Sequence, residues 1–170
     1  EAMRDRLTVT ETSILPSAQV RASAVASVRP YLDLYPLPNL GPSGDGTIGK
    51  NVASVFLPTN DSYWAVRVDQ KISDLDSFFV RYAYDDATSV NSQELYLFRS
   101  GAKTRQQYLT LVESHFFTLH TINAFRFSYT RPVDYTDVIY SIDIPRSLYF
   151  IPTAPNFGQI TIPGVATMGP

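Results

Sequence analysis

The chain has 170 residues, 13% of them aromatic, and a formal net charge of −2 with both signs scattered along it. This balance argues against a nucleic-acid partner, because nucleic-acid-binding proteins usually present a basic patch. The absence of cysteine excludes disulfides, thiolate catalysis and cysteine-ligated zinc. No apolar run approaches the roughly 18 residues of a transmembrane helix. The first residues do not resemble a signal peptide, so for an exported protein we expect further sequence upstream.

The first third of the chain combines an extended segment, a helical segment and a loop. Residues 1–16 are predicted to be extended. Residues 17–35 carry apolar side chains at helical spacing, with Ser17 as a candidate N-cap and Pro30 expected to kink or restart the helix. The Gly- and Pro-rich residues 35–46 have the chemistry of turns.

The middle of the chain alternates strictly between two kinds of side chain. Four runs show this period-two pattern, which predicts strands: about 62–73, 77–86, 104–117 and 121–130. Their length fits a tilted strand that crosses a bilayer, about 9–11 residues. Strands of soluble proteins are most often about 5–6 residues long.

One side of these predicted strands is apolar and aromatic, while the other carries full charges. Trp64, Val66, Tyr82, Tyr84 and Phe127 belong to the apolar side, and Trp64, Tyr84, Phe78 and Phe116 lie near strand ends, as in aromatic belts at membrane interfaces. Val112, Ser114 and Phe116 are also assigned to this side. The charged side is predicted to face a lumen, and its members are Arg67, Asp69, Arg81, Glu113, His115 and Arg126.

The connections between the runs alternate between short and long. Tight turns are predicted at 74–76 and 119–120, whereas loops are predicted at about 13–61, 87–103 and 131–170. Outer-membrane barrels have short periplasmic turns and long extracellular loops. We therefore predict an all-β fold of antiparallel up-and-down strands, forming part of a transmembrane β-barrel wall, with these loops extracellular.

The hairpins permit a prediction of register. A three-residue turn at 74–76 would set Asp69 opposite Arg81, whereas a register shifted by two would set Arg67 against Arg81, which is unfavourable. A two-residue turn at 119–120 would set Glu113 opposite Arg126.

Several segments resemble passages of the Oar-like TonB-dependent receptors, whose N-terminus carries a carboxypeptidase-regulatory-like domain. The similar segments, in order, are Glu1-Ala2-Met3-Arg4-Asp5-Arg6, Tyr35-Pro36-Leu37-Pro38-Asn39, Arg67-Val68-Asp69-Gln70-Lys71, Phe78-Phe79-Val80-Arg81-Tyr82, His115-Phe116-Phe117 and Gly158-Gln159-Ile160-Thr161-Ile162-Pro163-Gly164. They cover nearly the whole chain, and their order is more specific than any one of them.

This resemblance implies a barrel of about 22 strands with an N-terminal plug, of which residues 1–170 would be a partial barrel wall. It implies residence in the outer membrane of a Gram-negative bacterium, with the membrane lipid, the TonB complex and an unknown small-molecule or oligomeric ligand as partners. The TonB complex would be contacted through the missing N-terminal part. The ligand-binding residues are left unknown.

The candidate chemical sites are weak. Glu113 and His115 could form a metal pair, but an ion-pair network in the lumen fits better. Asp74, Asp76, Asp85 and Asp86 lack the spacing of a calcium loop and are interpreted as solvated carboxylates. We expect no catalytic residue, no metal site, no cofactor and no enzymatic activity.

Two other functions remain open. One is an outer-membrane barrel without transport activity, used in adhesion or linked to secretion. The other is a soluble all-β binding module, in which the aromatic residues would form the core of a sandwich.

Overall fold

A computed structural model describes residues 1–169 as an antiparallel six-stranded sheet, which confirms the predicted all-β fold class. The strand order is β1-β3-β4-β5-β6, with β2 paired to β3. None of the helices in residues 1–169 is long and apolar enough to span a membrane. The elements are β1 Ala2–Pro16, α1 Ala18–Ser23, α2 Arg29–Leu32, β2 Pro42–Ser43, β3 Ile48–Lys71, β4 Asp76–Ser92, β5 Phe98–Thr118, β6 Thr121–Tyr140 and a 3-10 turn Arg146–Leu148.

The predicted helical segment consists of two short helices. The Ser17 hydroxyl accepts a hydrogen bond from the Val20 amide at 3.4 Å and caps α1, as predicted. Pro30 lies in the first turn of α2, so it restarts the helix rather than kinking it. Proline suits this position because the amide that it lacks would have no partner there.

The strands extend well beyond their predicted bounds, and the loop predictions were wrong there. Strand β3 has 24 residues, β4 17, β5 21 and β6 20. The added part of the β3–β4 pair sets Asn60 opposite Thr88, and their side chains share a hydrogen bond of 3.2 Å. Here both faces are polar, so alternation could not reveal strands that backbone hydrogen bonds hold together.

The chain divides into two compact units, each described by itself. The strand unit comprises Glu1–Asp5, Thr59–Ser89 and Ala102–Tyr135. The loop unit comprises Arg6–Pro58, Val90–Gly101 and the residues from Thr136 onward.

The loop unit has a hydrophobic core of its own. The Phe98 ring is fully buried, meets Tyr140 edge-on at 5.6 Å and stacks on Phe157 at 6.5 Å. The connections that were predicted as surface loops therefore supply a packed interior. Its buried members are Leu15, Tyr35, Leu95, Phe98, Ile144, Phe157, Ala166 and Met168.

The β3–β4 hairpin has the register that charge pairing disfavoured, and the predicted pairing of Asp69 with Arg81 was wrong. Arg67 lies opposite Arg81, and Asp69 lies opposite Phe79. Arg67 avoids its like-charged neighbour because it binds Asp69 on its own strand at 2.7 and 2.8 Å, and its guanidinium lies 4.2 Å from the Phe79 ring centroid. A salt bridge within the strand thus compensates for the unfavourable cross-strand pair.

Ser73 fixes this register because its side chain closes the turn. Its hydroxyl accepts hydrogen bonds from the amides of Leu75 at 3.1 Å and Asp76 at 3.0 Å, and it donates one to the Asp76 carboxylate at 2.7 Å. Serine favours such local turns. The turn consequently begins one residue earlier than predicted.

We expect Ser73→Ala to lower the free energy of unfolding by about 1 kcal/mol, because the turn loses side-chain hydrogen bonds. Urea unfolding of the intact protein in lipid vesicles would measure it. Ser77→Ala, opposite Lys71 and outside the turn, is the matched control. An equal loss in both variants would contradict this role of Ser73.

The second hairpin has the predicted two-residue turn at Leu119-His120 between β5 and β6. The amide of His120 donates a hydrogen bond to the Thr118 hydroxyl at 3.2 Å. The pairing of Glu113 with Arg126 stays a prediction.

Candidate functional site: two faces of the strand unit

One face of the strand unit carries the charged side chains of β3 and β4. Arg67, Asp69 and Arg81 share this face because the antiparallel register sets odd-numbered residues of both strands opposite one another. Arg81 donates a long hydrogen bond of 3.4 Å to the Tyr63 hydroxyl. Thr110 of β5 lies beside Arg81 in one shallow cavity, so even-numbered residues of β5 belong to this face.

The opposite face is aromatic. The Trp64 ring lies 5.3 Å from the Tyr82 ring and 5.8 Å from the Tyr84 ring. From β5, Gln107 donates a hydrogen bond to the Tyr82 hydroxyl at 3.0 Å, and the Arg105 guanidinium lies 5.8 Å from the Tyr84 ring centroid. Odd-numbered residues of β5 therefore belong to the aromatic face.

The prediction of one common charged face was wrong for β5. Glu113 and His115 have the same parity as Gln107 in the uninterrupted strand β5, so they lie on the aromatic face, away from Arg81. The five residues 93–97 that connect β4 to β5 lie inside the segment 87–103 that was predicted as a loop, so alternation gave no relative parity for the two strands. Both faces of β5 also contain apolar residues, including Leu111 on one and Val112 on the other, so alternation alone was ambiguous.

Three of the six predicted lumen residues thus share a face, namely Arg67, Asp69 and Arg81. Their orientation toward a lumen stays a prediction. Arg126 is exposed on β6, and its orientation also stays a prediction. Val112 and Ser114 line a second cavity together with Asp69, Ser77 and Phe79, so they lie on the face of Arg81. Their predicted place on the apolar side was wrong.

A cluster of three titratable side chains lies beside the turn between β3 and β4. His115 Nδ1 contacts the Asp76 carboxylate, and the ligand atoms of Asp76, Glu113 and His115 lie within 4.8 Å of one another. The His115 ring also meets Phe117 edge-on at 4.4 Å. These residues could hold a divalent cation. Sequence reasoning considered Asp76 separately from Glu113 and His115, because Asp76 belongs to another strand, and the expected absence of a metal stays a prediction.

Two of the other acidic candidates, Asp86 and Asp74, form ion pairs. Asp86 lies within β4 and binds Arg105 at 2.8 Å, so its interpretation as a solvated loop carboxylate was wrong. Asp74 binds Lys71 at 2.5 Å in the exposed turn. Exposed pairs of this kind contribute little to stability.

The loop unit contains a small pocket next to α1. It has a volume of about 290 Å³ and is lined by Ser17, Gln19, Leu37, Pro38 and Gly41, among others. Beside it, the half-buried Arg21 side chain donates a hydrogen bond of 2.5 Å to the carbonyl of Pro36, the residue before Leu37. Burial lowers the pKa of Arg21, with Asp33 opposing this effect. Residues 35–46 were interpreted only as turn chemistry, which gave no sign of this pocket.

Tyr35 forms a hydrogen bond between two parts of the loop unit that are far apart in sequence. It is 2% exposed, and its hydroxyl donates a hydrogen bond of 3.0 Å to the Ala166 carbonyl. Burial, reinforced by the negative charge of Glu94, raises the pKa of Tyr35 to about 12. Glu94 in turn accepts a hydrogen bond of 2.9 Å from the Thr167 amide, and hydrogen bonds from Thr167 lower the pKa of Glu94.

We expect Tyr35→Phe to destabilise the loop unit by about 1–3 kcal/mol, because the buried Ala166 carbonyl loses its donor. The neutral form of Tyr35 stabilises the fold below its ordinary pKa of 10.0, and this contribution is lost as pH rises toward about 12. Protease cleavage within 141–169 should therefore accelerate over that interval in the parent and change less in the variant. Well below the ordinary pKa of 10.0, where Tyr35 is neutral, Tyr35→Phe should be cleaved faster than the parent. Equal cleavage rates of the two proteins there would contradict this role.

Comparison with known proteins adds one finding. The family described as "Outer membrane beta barrel domain" matches residues 3–170. No curated protein and no solved structure matches the chain.

Proposed function

Because the chain belongs to the outer membrane β-barrel domain family, we propose that the intact protein is a TonB-dependent receptor that captures a ligand and imports it with energy from the inner membrane. Family membership and the antiparallel sheet support a place in the barrel wall of a Gram-negative outer membrane. The TonB-dependent part of the proposal is supported by the ordered resemblance to the Oar-like receptors. A barrel of about 22 strands with a plug belongs to the same proposal.

The observation that carries the proposal is the pair of chemically different faces on long strands. Arg67, Asp69 and Arg81 would line a watery lumen against the plug, while Trp64, Tyr82 and Tyr84 would meet lipid. Membrane barrels have an apolar outer band with aromatic girdles and a polar interior. The short turns would then be periplasmic and the loop unit extracellular.

The packed loop unit suits ligand capture. Its connections share a buried core, so they would present a preorganised surface to the ligand. Preorganisation strengthens binding because less conformational entropy is lost. The pocket beside Leu37 and Pro38 is a candidate contact, with an apolar ligand portion of modest size as its occupant.

An uptake assay in a host lacking its own receptors tests the proposal. The full gene would be expressed, and uptake of labelled siderophore, cobalamin, oligosaccharide and peptide would be compared with and without the host's TonB. We expect uptake of one class and its loss without TonB. TonB-independent uptake, or a full gene without a plug and a TonB-binding segment, would overturn the proposal and favour a barrel without transport activity.

A further inference from the structure

Three basic side chains gather around one cavity of the strand unit, and we call them the basic rim. Lys103 and Arg105 belong to β5, and Arg131 belongs to β6. With Gln107 and Tyr135 they line a cavity of about 210 Å³, and all three cations are exposed. Cations that converge on one opening create a positive potential that attracts an anion.

Acidic neighbours neutralise only part of this charge. Arg105 Nε binds Asp86 Oδ1 at 2.8 Å. Within residues 1–169 the side chains of Lys103 and Arg131 form no ion pair. The basic rim therefore retains two cations that have no salt bridge within residues 1–169.

The basic rim lies beside aromatic residues of the face that we assign to lipid. Arg105 lies over the Tyr84 ring, and Tyr84 stacks on Trp64. Trp and Tyr concentrate where a membrane meets water. Farther along β5 the same face carries Leu109 and Leu111, followed by Glu113 and His115 near the turn between β3 and β4. The aromatic residues thus separate the basic rim from a short apolar stretch of two leucines.

Arg131 adds a geometric argument. It lies closer to the Leu119-His120 turn than Tyr135 does, yet it lines the same cavity as Lys103. The length of an arginine side chain allows its guanidinium to reach this opening from that position on β6.

We infer that the basic rim binds the phosphate group of an anionic lipid in the outer leaflet. The guanidinium groups of Arg105 and Arg131 offer the planar donor pairs that match phosphate oxygens, and Lys103 adds a point charge. The apolar stretch below the rim would contact the acyl chains of the same lipid. The inference rests on the orientation given in the proposed function and not on transport.

Native mass spectrometry of the full-length protein in detergent micelles tests this inference. The probes are phosphorylated lipid A, its dephosphorylated form and inorganic phosphate. The variant combines Lys103→Gln, Arg105→Gln and Arg131→Gln. The matched control removes three cations from the opposite face through Arg67→Gln, Lys71→Gln and Arg81→Gln. Heat-modifiable gel mobility verifies that each variant is folded.

We expect the triple variant to bind phosphorylated lipid A about 25-fold more weakly than the parent, since each unpaired cation near an anionic surface strengthens binding roughly fivefold. The control should keep parental affinity, and the parent should discriminate against the dephosphorylated lipid. If the triple variant does not fold, Arg131→Gln alone should weaken binding about fivefold.

Parental affinity in the triple variant, or an equal loss in the control, would overturn the inference. Displacement of the lipid by inorganic phosphate would assign the rim to free phosphate instead and would also overturn it. If uptake proves independent of TonB while lipid discrimination persists, the proposed function fails and this inference stands.

Discussion

Phe98→Ala is expected to open the loop unit, at a cost of about 3–5 kcal/mol. The Phe98 side chain is fully buried and contacts both Tyr140 and Phe157, so its removal leaves a cavity that the surrounding connections cannot easily fill. Native-state proteolysis of the intact protein would show cleavage within 141–169 accelerated by roughly a hundredfold or more, since every ~1.4 kcal/mol is a factor of ten.

Phe150→Ala is the matched control for this experiment. Phe150 also stacks on other rings, those of Tyr31 at 5.8 Å and Phe157 at 6.2 Å, but 62% of it is exposed. Its replacement removes the same atoms from a position that is already largely in water, so we expect a cost below about 1 kcal/mol. Similar cleavage rates in the two variants would mean that the loop unit has no core that depends on Phe98.

Leu111→Arg is expected to impair folding into a membrane by about 2–4 kcal/mol, whereas Val112→Arg should cost little. Leu111 has the parity of Gln107 and belongs to the aromatic face, which we assign to lipid, while Val112 belongs to the face of Arg81. A charge is costly against hydrocarbon but is solvated in a lumen. Urea unfolding in lipid vesicles would compare the two variants.

This pair of adjacent residues is a sharp test because the sequence alone predicts the opposite result. Alternation assigned Val112 to the lipid side and its odd-numbered neighbours to the lumen. A larger loss in Val112→Arg than in Leu111→Arg would restore that earlier assignment. It would also remove the basic rim from the lipid face and so contradict the lipid-phosphate inference.

Local patterns identified features that depend on a few neighbouring residues. Ser17 was identified as a helix cap and residues 119–120 as a turn because each needs only nearby side chains or a short connection. The register of the first hairpin was mispredicted although it is also local. Charge pairing favours Asp69 opposite Arg81, but the Ser73 hydroxyl closes the turn one residue earlier, and Asp69 finds its cationic partner in Arg67 on its own strand.

Alternation with period two predicted the antiparallel strands and the two different sides of β3 and β4, because successive side chains of an extended backbone point to opposite faces. The side of β5 that lies beside the aromatic side of β4 is set by strand pairing, which a local pattern does not contain. The five-residue connection 93–97 lies inside the predicted loop 87–103, so the alternation pattern did not determine that Glu113 and His115 lie on the side of Tyr82. The core of the loop unit could not be recognised in the sequence either, because Leu15, Tyr35, Phe98 and Phe157 come from separate segments without a common periodicity.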